Sequence, residues 1–232
     1  CTLFLKLIYI TIFMNQLLPI SKKILNQINT EVFIALETLF KKKIKSHDDI
    51  FEFLRKYPSY RSQVFDLVNM LPVLCYVNYE IKKFLEKKVI KKTLVNWTYA
   101  QIRLDDVLSK KFSAPAHKDR WIIDKNKKGY IVWIPLKKEG SSLMIAKKDL
   151  TKKIKLNSYW GLEAIGPTKF IKKKINYGKA LLFDADLLHK SDSPKHSRIT
   201  LQLRYEEICS KKFKRTVTQK VDDAVLKFWK KE

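Results

Sequence analysis

The sequence predicts an α+β chain that is mainly β in its core: a helical N-terminal portion, then a β sandwich or jelly roll, then a closing helix. Three observations predict this. Apolar residues recur at helical spacing in the first part, with Ile24, Leu25, Ile28, Val32, Leu36, Leu39 and Phe40 as the clearest run. From Asn96 onward the apolar runs shorten and become rich in β-branched and aromatic residues. Between those runs fall turn signals rather than helical patterns, at Gly129, Gly140, Gly161, Gly166-Pro167, Gly178 and Ser193-Pro194. Many short strands without intervening helices suit a sandwich or jelly roll.

The elements follow in order. Residues 1–20 form an apolar N-terminal segment, in which Leu3 to Phe13 is apolar except for Lys6. That stretch is shorter than the roughly 20 residues of a membrane span. A secretory signal would want a basic start and a small-residue cleavage site. Met14 is a plausible start, which would make residues 1–13 non-native upstream sequence, and a membrane anchor is the alternative. Residues 21–95 make the helical portion. There Ser46 reads as an N-cap with Asp49 three residues on, ahead of the apolar face Ile50, Phe51, Phe53 and Leu54. Pro58 and Pro72 punctuate two further helices, the last running to about Lys92. Residues 96–232 form the core, with candidate strands Trp97–Leu104, Tyr130–Leu136, Ser142–Ala146, Phe170–Ile175, Lys179–Leu187 and Ser197–Tyr205. A closing amphipathic helix over 219–230 carries Val221, Val225, Phe228 and Trp229 on one side.

Composition removes several function classes. The 232 residues are 46% hydrophobic and 31% charged, which is globular, not disordered. Five glycines and seven prolines exclude collagen-like and low-complexity chains. No period of about 20–50 residues repeats. The net charge of +25 points toward nucleic acid or an anionic membrane. However, only seven of the 48 basic residues are arginine, the side chain whose fork reads phosphates and base edges. A solvated lysine surface is therefore the better reading, and neither a nucleic-acid partner nor stable membrane insertion is expected. Three widely spaced cysteines without a CxxC pair fit a reducing cytoplasm. The oligomeric state is not encoded in any pattern we recognise.

The chemistry sits in three pieces. His117-Lys118-Asp119 follows Ala114-Pro115-Ala116, a strand end, and on an extended chain residues two apart share a face. His189 closes the run from Gly178, as if a buried strand delivered a histidine at its mouth. Arg198 lies nine residues further on, opening the next strand, so adjacent antiparallel strands would bring it beside His189. Two imidazoles and one carboxylate make the facial triad of non-haem Fe(II) oxygenases, with three coordination positions open. A 2-oxo acid can fill two of these and O2 the third, with Arg198 holding the distal carboxylate of 2-oxoglutarate as a bidentate pair.

Plainer readings stand beside this one. His196, two residues before Arg198, competes with His189 as the distal ligand. A second His-x-Asp, His47-Asp48-Asp49, reads as a helix start. Trp121 and Trp133 either line a substrate pocket or belong to the core. Asp184 and Asp186 read as structural or rim residues. Arg103 and Arg120 bind an anionic substrate or are surface residues.

These segments carry a family resemblance. Thr98–Asp105 (TYAQIRLD), Pro115–Trp121 (PAHKDRW), Val132–Leu136 (VWIPL), Gly140–Leu143 (GSSL) and the His189 and Arg198 segments come in the order seen in the phytanoyl-CoA dioxygenase family, over about residues 97–206. The resemblance implies a double-stranded β-helix, cupin-like core and the cosubstrates Fe(II), 2-oxoglutarate and O2, with ascorbate in a supporting role. It implies hydroxylation of a small-molecule substrate with succinate and CO2 as coproducts. His117, Asp119 and His189 map onto the iron ligands and Arg198 onto the 2-oxoglutarate anchor. Gln101 and Thr200 map beside that cosubstrate; apart from the resemblance, Trp121 and Arg120 are the candidate substrate contacts. Related halogenases replace the carboxylate by a small residue, so Asp119 favours hydroxylation. The alternatives are a jelly-roll binding protein without turnover, and a basic nucleic-acid or membrane-surface protein recognisable by steeply salt-dependent binding.

Overall fold

The computed structural model describes residues 16–96, 100–108, 114–119, 128–147, 153–157, 161–192 and 197–208. It is a mixture of helices and antiparallel sheet, and it divides into two units. One holds the described residues of Ile20–Arg103 and Leu201–Glu232, and the other those of Cys1–Pro19 and Leu104–Thr200.

In the first unit the helical spacing read from the sequence becomes helix. α1 (Lys22–Phe40) buries Leu25, Ile28, Val32, Leu36 and Phe40, one face at intervals of three and four, and stops at Lys41 in the left-handed region. α2 (His47–Lys56) starts on the expected cap. The Ser46 hydroxyl accepts from the Asp49 N–H, and the Asp49 carboxylate accepts from the N–H groups of Ser46 and Lys45 at 2.9 and 2.7 Å. A 3-10 turn at Pro58–Tyr60 leads into α3 (Arg61–Asn69), and Pro72 opens α4 (Pro72–Phe84), which continues through a π-helical turn, Leu85–Val89. Phe40 stacks on Phe53 with ring centroids 3.6 Å apart, and Tyr60 meets both rings edge-on. Among the described residues no single helix is long and apolar enough to cross a membrane.

Strands complete this unit. β2 (Leu94–Asn96) and β3 (Gln101–Asp105) both pair with β11 (Arg198–Glu207), β2 in the register Tyr205↔Asn96. Tyr205, fully buried, donates its hydroxyl to the side-chain and backbone oxygens of Asn78 on α4, at 2.7 and 3.1 Å.

The second unit is two antiparallel sheets. In one, β4 (Gly129–Pro135) pairs with β9 (Lys179–Asp184), and β1 (Gln16–Pro19) lies on the outer side of β9. The start of β11 joins β4 on its other side, where the Leu136 N–H donates to Ile199 O. All seven residues of β4 are buried, the near-continuous apolar run of a strand covered on both faces. In the other sheet β5 (Ser141–Ala146) lies between β8 (Phe170–Ile175) and β10 (His189–Ser191). A separate hairpin, β6 (Lys153–Asn157) and β7 (Gly161–Ile165), is fastened to residue 116 by the Ala164 N–H. Gly140 turns the chain from β4 into β5 with φ at 73°, and a Cβ there would lie 2.5 Å from Ile175 O, so no other residue fits without backbone movement.

The structure corrects two sequence expectations. The strand expected over Lys179–Leu187 ends at Asp184, whose carboxylate accepts from the Asp186 N–H while its carbonyl accepts from Leu187. That turn sends the chain into the other sheet, so His189 begins a strand instead of ending one. His189 and Arg198 are therefore not on neighbouring paired strands, because β10 pairs with β5 and β11 joins β4. Trp97, Arg120, Trp121, His196 and the closing helix expected over 219–230 lie outside the described residues.

Candidate metal centre

Two histidines are brought opposite each other by backbone pairing. His117 N donates to His189 O at 2.9 Å and His189 N to His117 O at 3.0 Å, a bridge between residues 114–117 and β10. Their ring centroids are 4.4 Å apart. Each imidazole is oriented in the same way. His117 Nδ1 lies 2.7 Å from Pro115 O, and His189 Nδ1 lies 2.9 Å from Leu187 O. A carbonyl oxygen only accepts, so Nδ1 carries a proton in both rings and Nε2 is the nitrogen left to meet a metal. This is the tautomer a metal ligand needs, enforced by backbone. Phe183, from β9, meets the His189 ring edge-on with centroids 5.0 Å apart and fixes its tilt.

Asp119 completes the group. Its Oδ2 lies 3.7 Å from His189 Nε2, and one ligand atom from each of His117, Asp119 and His189 lies within 4.8 Å of the others. Asp119 and His189 are buried and His117 is half-buried. The donor set of two imidazoles and one carboxylate fits Fe(II), and three protein ligands leave half of an octahedral shell for small molecules.

Arg198 is tied to the same strand as His189. Its Nη2 donates to Ser191 Oγ, which also accepts from the Ala114 N–H at 2.9 Å. Ser191 is two residues beyond His189 and so on its face of β10, about 6.6 Å further along. The guanidinium thus reaches a point one strand repeat from the metal ligand, a span that suits a five-carbon diacid. Its Nη1 donates to Ser142 O at 2.9 Å and its Nε to Asp105 Oδ2 at 2.7 Å, and it lies 6.0 Å from the centre of the Trp133 ring. Among the described residues three of the five guanidinium N–H groups are used in this way, leaving two for a ligand. Thr200, two residues along β11 and on the same face as Arg198, is fully buried with a hydroxyl that has no hydrogen-bond partner among the described residues. A buried hydroxyl without a partner costs about 1–3 kcal/mol, which an acceptor bound beside Arg198 would relieve.

Sequence reasoning placed the triad, Arg198 and Thr200 but gave Asp105, Ser191 and Ser142 no role. Ser191 was readable from alternation, since it follows His189 by two. Asp105 was not, because its partner lies 93 residues away. Gln101, expected near the cosubstrate, uses its side-chain oxygen to accept from Arg204 Nη1 at 3.1 Å. His47 is the helix-start residue expected, with Nε2 3.1 Å from Asn29 Oδ1 and its ring against Phe33. Near the anchor, Asp192 is desolvated, which works to raise its pKa. Hydrogen bonds from Lys172 and Ser142, both at 2.6 Å, and the charge of Arg198 nevertheless hold it below the usual carboxylate range.

No protein-family model matches the chain, and no curated protein sequence matches it. Solved structures similar to it include AviO1 from Streptomyces viridochromogenes Tue57, at 14% identity over 56% of this chain and 58% of that one, with a TM-score of 0.38. They also include EvdO2 from Micromonospora carbonacea var. aurantiaca complexed with 2-oxoglutarate, at 14% identity, 84% and 89% coverage and a TM-score of 0.48. A third is the apo form of the non-heme monooxygenase ThoJ, at 12% identity, 84% and 75% coverage and a TM-score of 0.48. The chain spans less than two thirds of the length of AviO1. The resemblance to the phytanoyl-CoA dioxygenase family accordingly rests on the residues that carry it: the His117-x-Asp119, His189 and Arg198 positions and the segments around them.

Proposed function

We infer that the chain is an Fe(II)- and 2-oxoglutarate-dependent oxygenase that hydroxylates a small-molecule substrate. The observation that carries this reading is the meeting of His117, Asp119 and His189 within 4.8 Å, with His189 on a strand that also holds Arg198 through Ser191. A double-stranded β-helix core is part of the reading. Its support is the way successive strands alternate between two sheets, β4 in one, β5 and β8 in the other, β9 back in the first, β10 in the second and β11 in the first.

Iron held by His117, Asp119 and His189 would, with 2-oxoglutarate and O2, supply the oxidising power for inserting one oxygen atom into a C–H bond, with succinate and CO2 as coproducts. The protein's own groups do the rest. Pro115 O and Leu187 O hold the two imidazoles with Nε2 turned to the ion. Asp119 lowers the charge of the centre and blocks one position. Arg198 and Thr200 receive the distal carboxylate, which sets the direction in which the 2-oxo acid enters. Buried Trp133, Phe183 and Ile145 exclude water from the side of the sheets. Arg120, adjacent to Asp119, and Trp121 are proposed substrate contacts, and the cysteine pattern supports a cytoplasmic location.

Anaerobic titration tests the assignment. The wild-type chain should take up one Fe(II) and, with 2-oxoglutarate, develop a visible charge-transfer band. His117→Ala should lose both and the coupled release of succinate. A chain that folds but binds no iron would end this reading.

A further inference from the structure

The arginine of this site does not meet its ligand as a bare cation. Arg198 Nε donates to Asp105 Oδ2 at 2.7 Å, with the two side chains only 4% and 6% exposed. The neighbouring residues fasten the same junction, since Ser197 Oγ donates to Asp106 Oδ1 at 2.8 Å and accepts from the Val107 N–H at 3.1 Å. A second carboxylate, Asp192, feels the charge of Arg198 and is itself matched by Lys172 at 2.6 Å. Two cations and two carboxylates therefore cancel around the anchor before any ligand arrives. Orientation of the guanidinium does not require this, because an Nε–H also donates to a neutral amide oxygen. What a carboxylate adds at position 105 is a buried negative charge, one guanidinium's width from the place where a distal carboxylate would sit.

Building on the oxygenase reading, we propose that Asp105 is a specificity-determining residue, whose charge weakens the site's preference for doubly charged over singly charged 2-oxo acids. The distal carboxylate is then held by the two remaining N–H groups of Arg198 and the hydroxyl of Thr200, with little net attraction. Succinate carries the same distal carboxylate, so the same balance eases release of the coproduct. Asp105 acts through Arg198 and touches no reacting atom.

The test compares two 2-oxo acids on the Fe(II)-loaded full chain under anaerobic conditions, by charge-transfer absorbance and calorimetry. 2-Oxoglutarate carries the distal carboxylate and 2-oxobutyrate lacks it. Asp105→Asn keeps an acceptor for Nε and removes the charge. It should bind 2-oxoglutarate about 10- to 50-fold more tightly at an effective dielectric of about 20, with 2-oxobutyrate changed by less than about 2-fold. Asp105→Glu, which keeps the charge, should leave the ratio of the two affinities near that of the wild type. An unchanged or reduced preference for 2-oxoglutarate in Asp105→Asn would overturn the proposal, because a purely structural residue weakens both ligands together. If that variant does not fold, the wild-type preference decides. A value below about 1,000-fold, about tenfold for each of the three hydrogen bonds, supports the proposal, and a larger one overturns it. A wild-type chain that binds neither iron nor 2-oxoglutarate would instead bring down the oxygenase reading on which this rests.

Discussion

Replacing Arg198 by methionine keeps the length of the side chain and removes its charge. Three hydrogen bonds go with it, to Asp105, Ser142 O and Ser191 Oγ. The larger effect is on Asp105, a carboxylate whose side chain is 6% exposed and which loses its cation. Removing one partner of a buried ion pair costs about 3–5 kcal/mol. For a chain of this size that lowers the melting temperature by about 6–20 °C. Neutralising the stranded carboxylate should reverse much of the loss, so the double variant Arg198→Met/Asp105→Asn should regain about 2 kcal/mol over the single one. The assay is urea unfolding of the iron-free protein, followed by circular dichroism and calorimetry for wild type, both single variants and the double. Arg198→Met within about 1 kcal/mol of wild type would refute the buried pair, as would a double variant less stable than the sum of the singles.

Two further predictions concern the scaffold. Tyr205→Phe removes a buried hydroxyl that bonds Asn78, and should cost about 1–3 kcal/mol in urea unfolding; burial, with the charge of Glu86, holds this phenol well above its ordinary value, so the loss should be the same at pH 7 and pH 9. The hydrogen bond from the Lys45 N–H, with those from Ser46, holds the Asp49 carboxyl below its usual value of 3.8, so its capping contribution is complete above that pH and is lost as pH falls through the lowered folded value; Asp49→Ala should cost about 1 kcal/mol at pH 7 and progressively less below pH 4, read from urea midpoints across that range.

Local chemistry was what the sequence made legible. The buried stripe Leu25, Ile28, Val32 and Leu36 follows from spacing alone, and Ser46 with Asp49 is a cap whose partners are three residues apart. The strand bodies β4, β5, β8 and β9 appear within a residue or three of where β-branched runs place them. Short-range spacing also showed that His117 and Asp119 share a face. Pairing across the chain was not legible. Alternation says which face a residue takes but not which sheet its strand joins, and so His189 and Arg198 were expected on neighbouring strands. The turn at Asp184 depends on a carboxylate accepting from a backbone N–H two residues on, a signal hidden inside an apolar run. β1 lay within the stretch read as an apolar N-terminal segment, and only the edge of β9 makes Gln16–Pro19 a strand. Asp105 stood in a segment quoted for its family resemblance, yet its meaning comes only from a guanidinium delivered by a different strand.

The cross-strand bridge between His117 and His189 ties coordination to strand alignment. β10 is three residues long, and a shift of one position would turn the 189 side chain to the opposite surface of its sheet and offer a lysine in its place. A molecule docked out of step could not bring the three ligand atoms together, so on the oxygenase reading iron uptake would report that the short strand has found its correct partner.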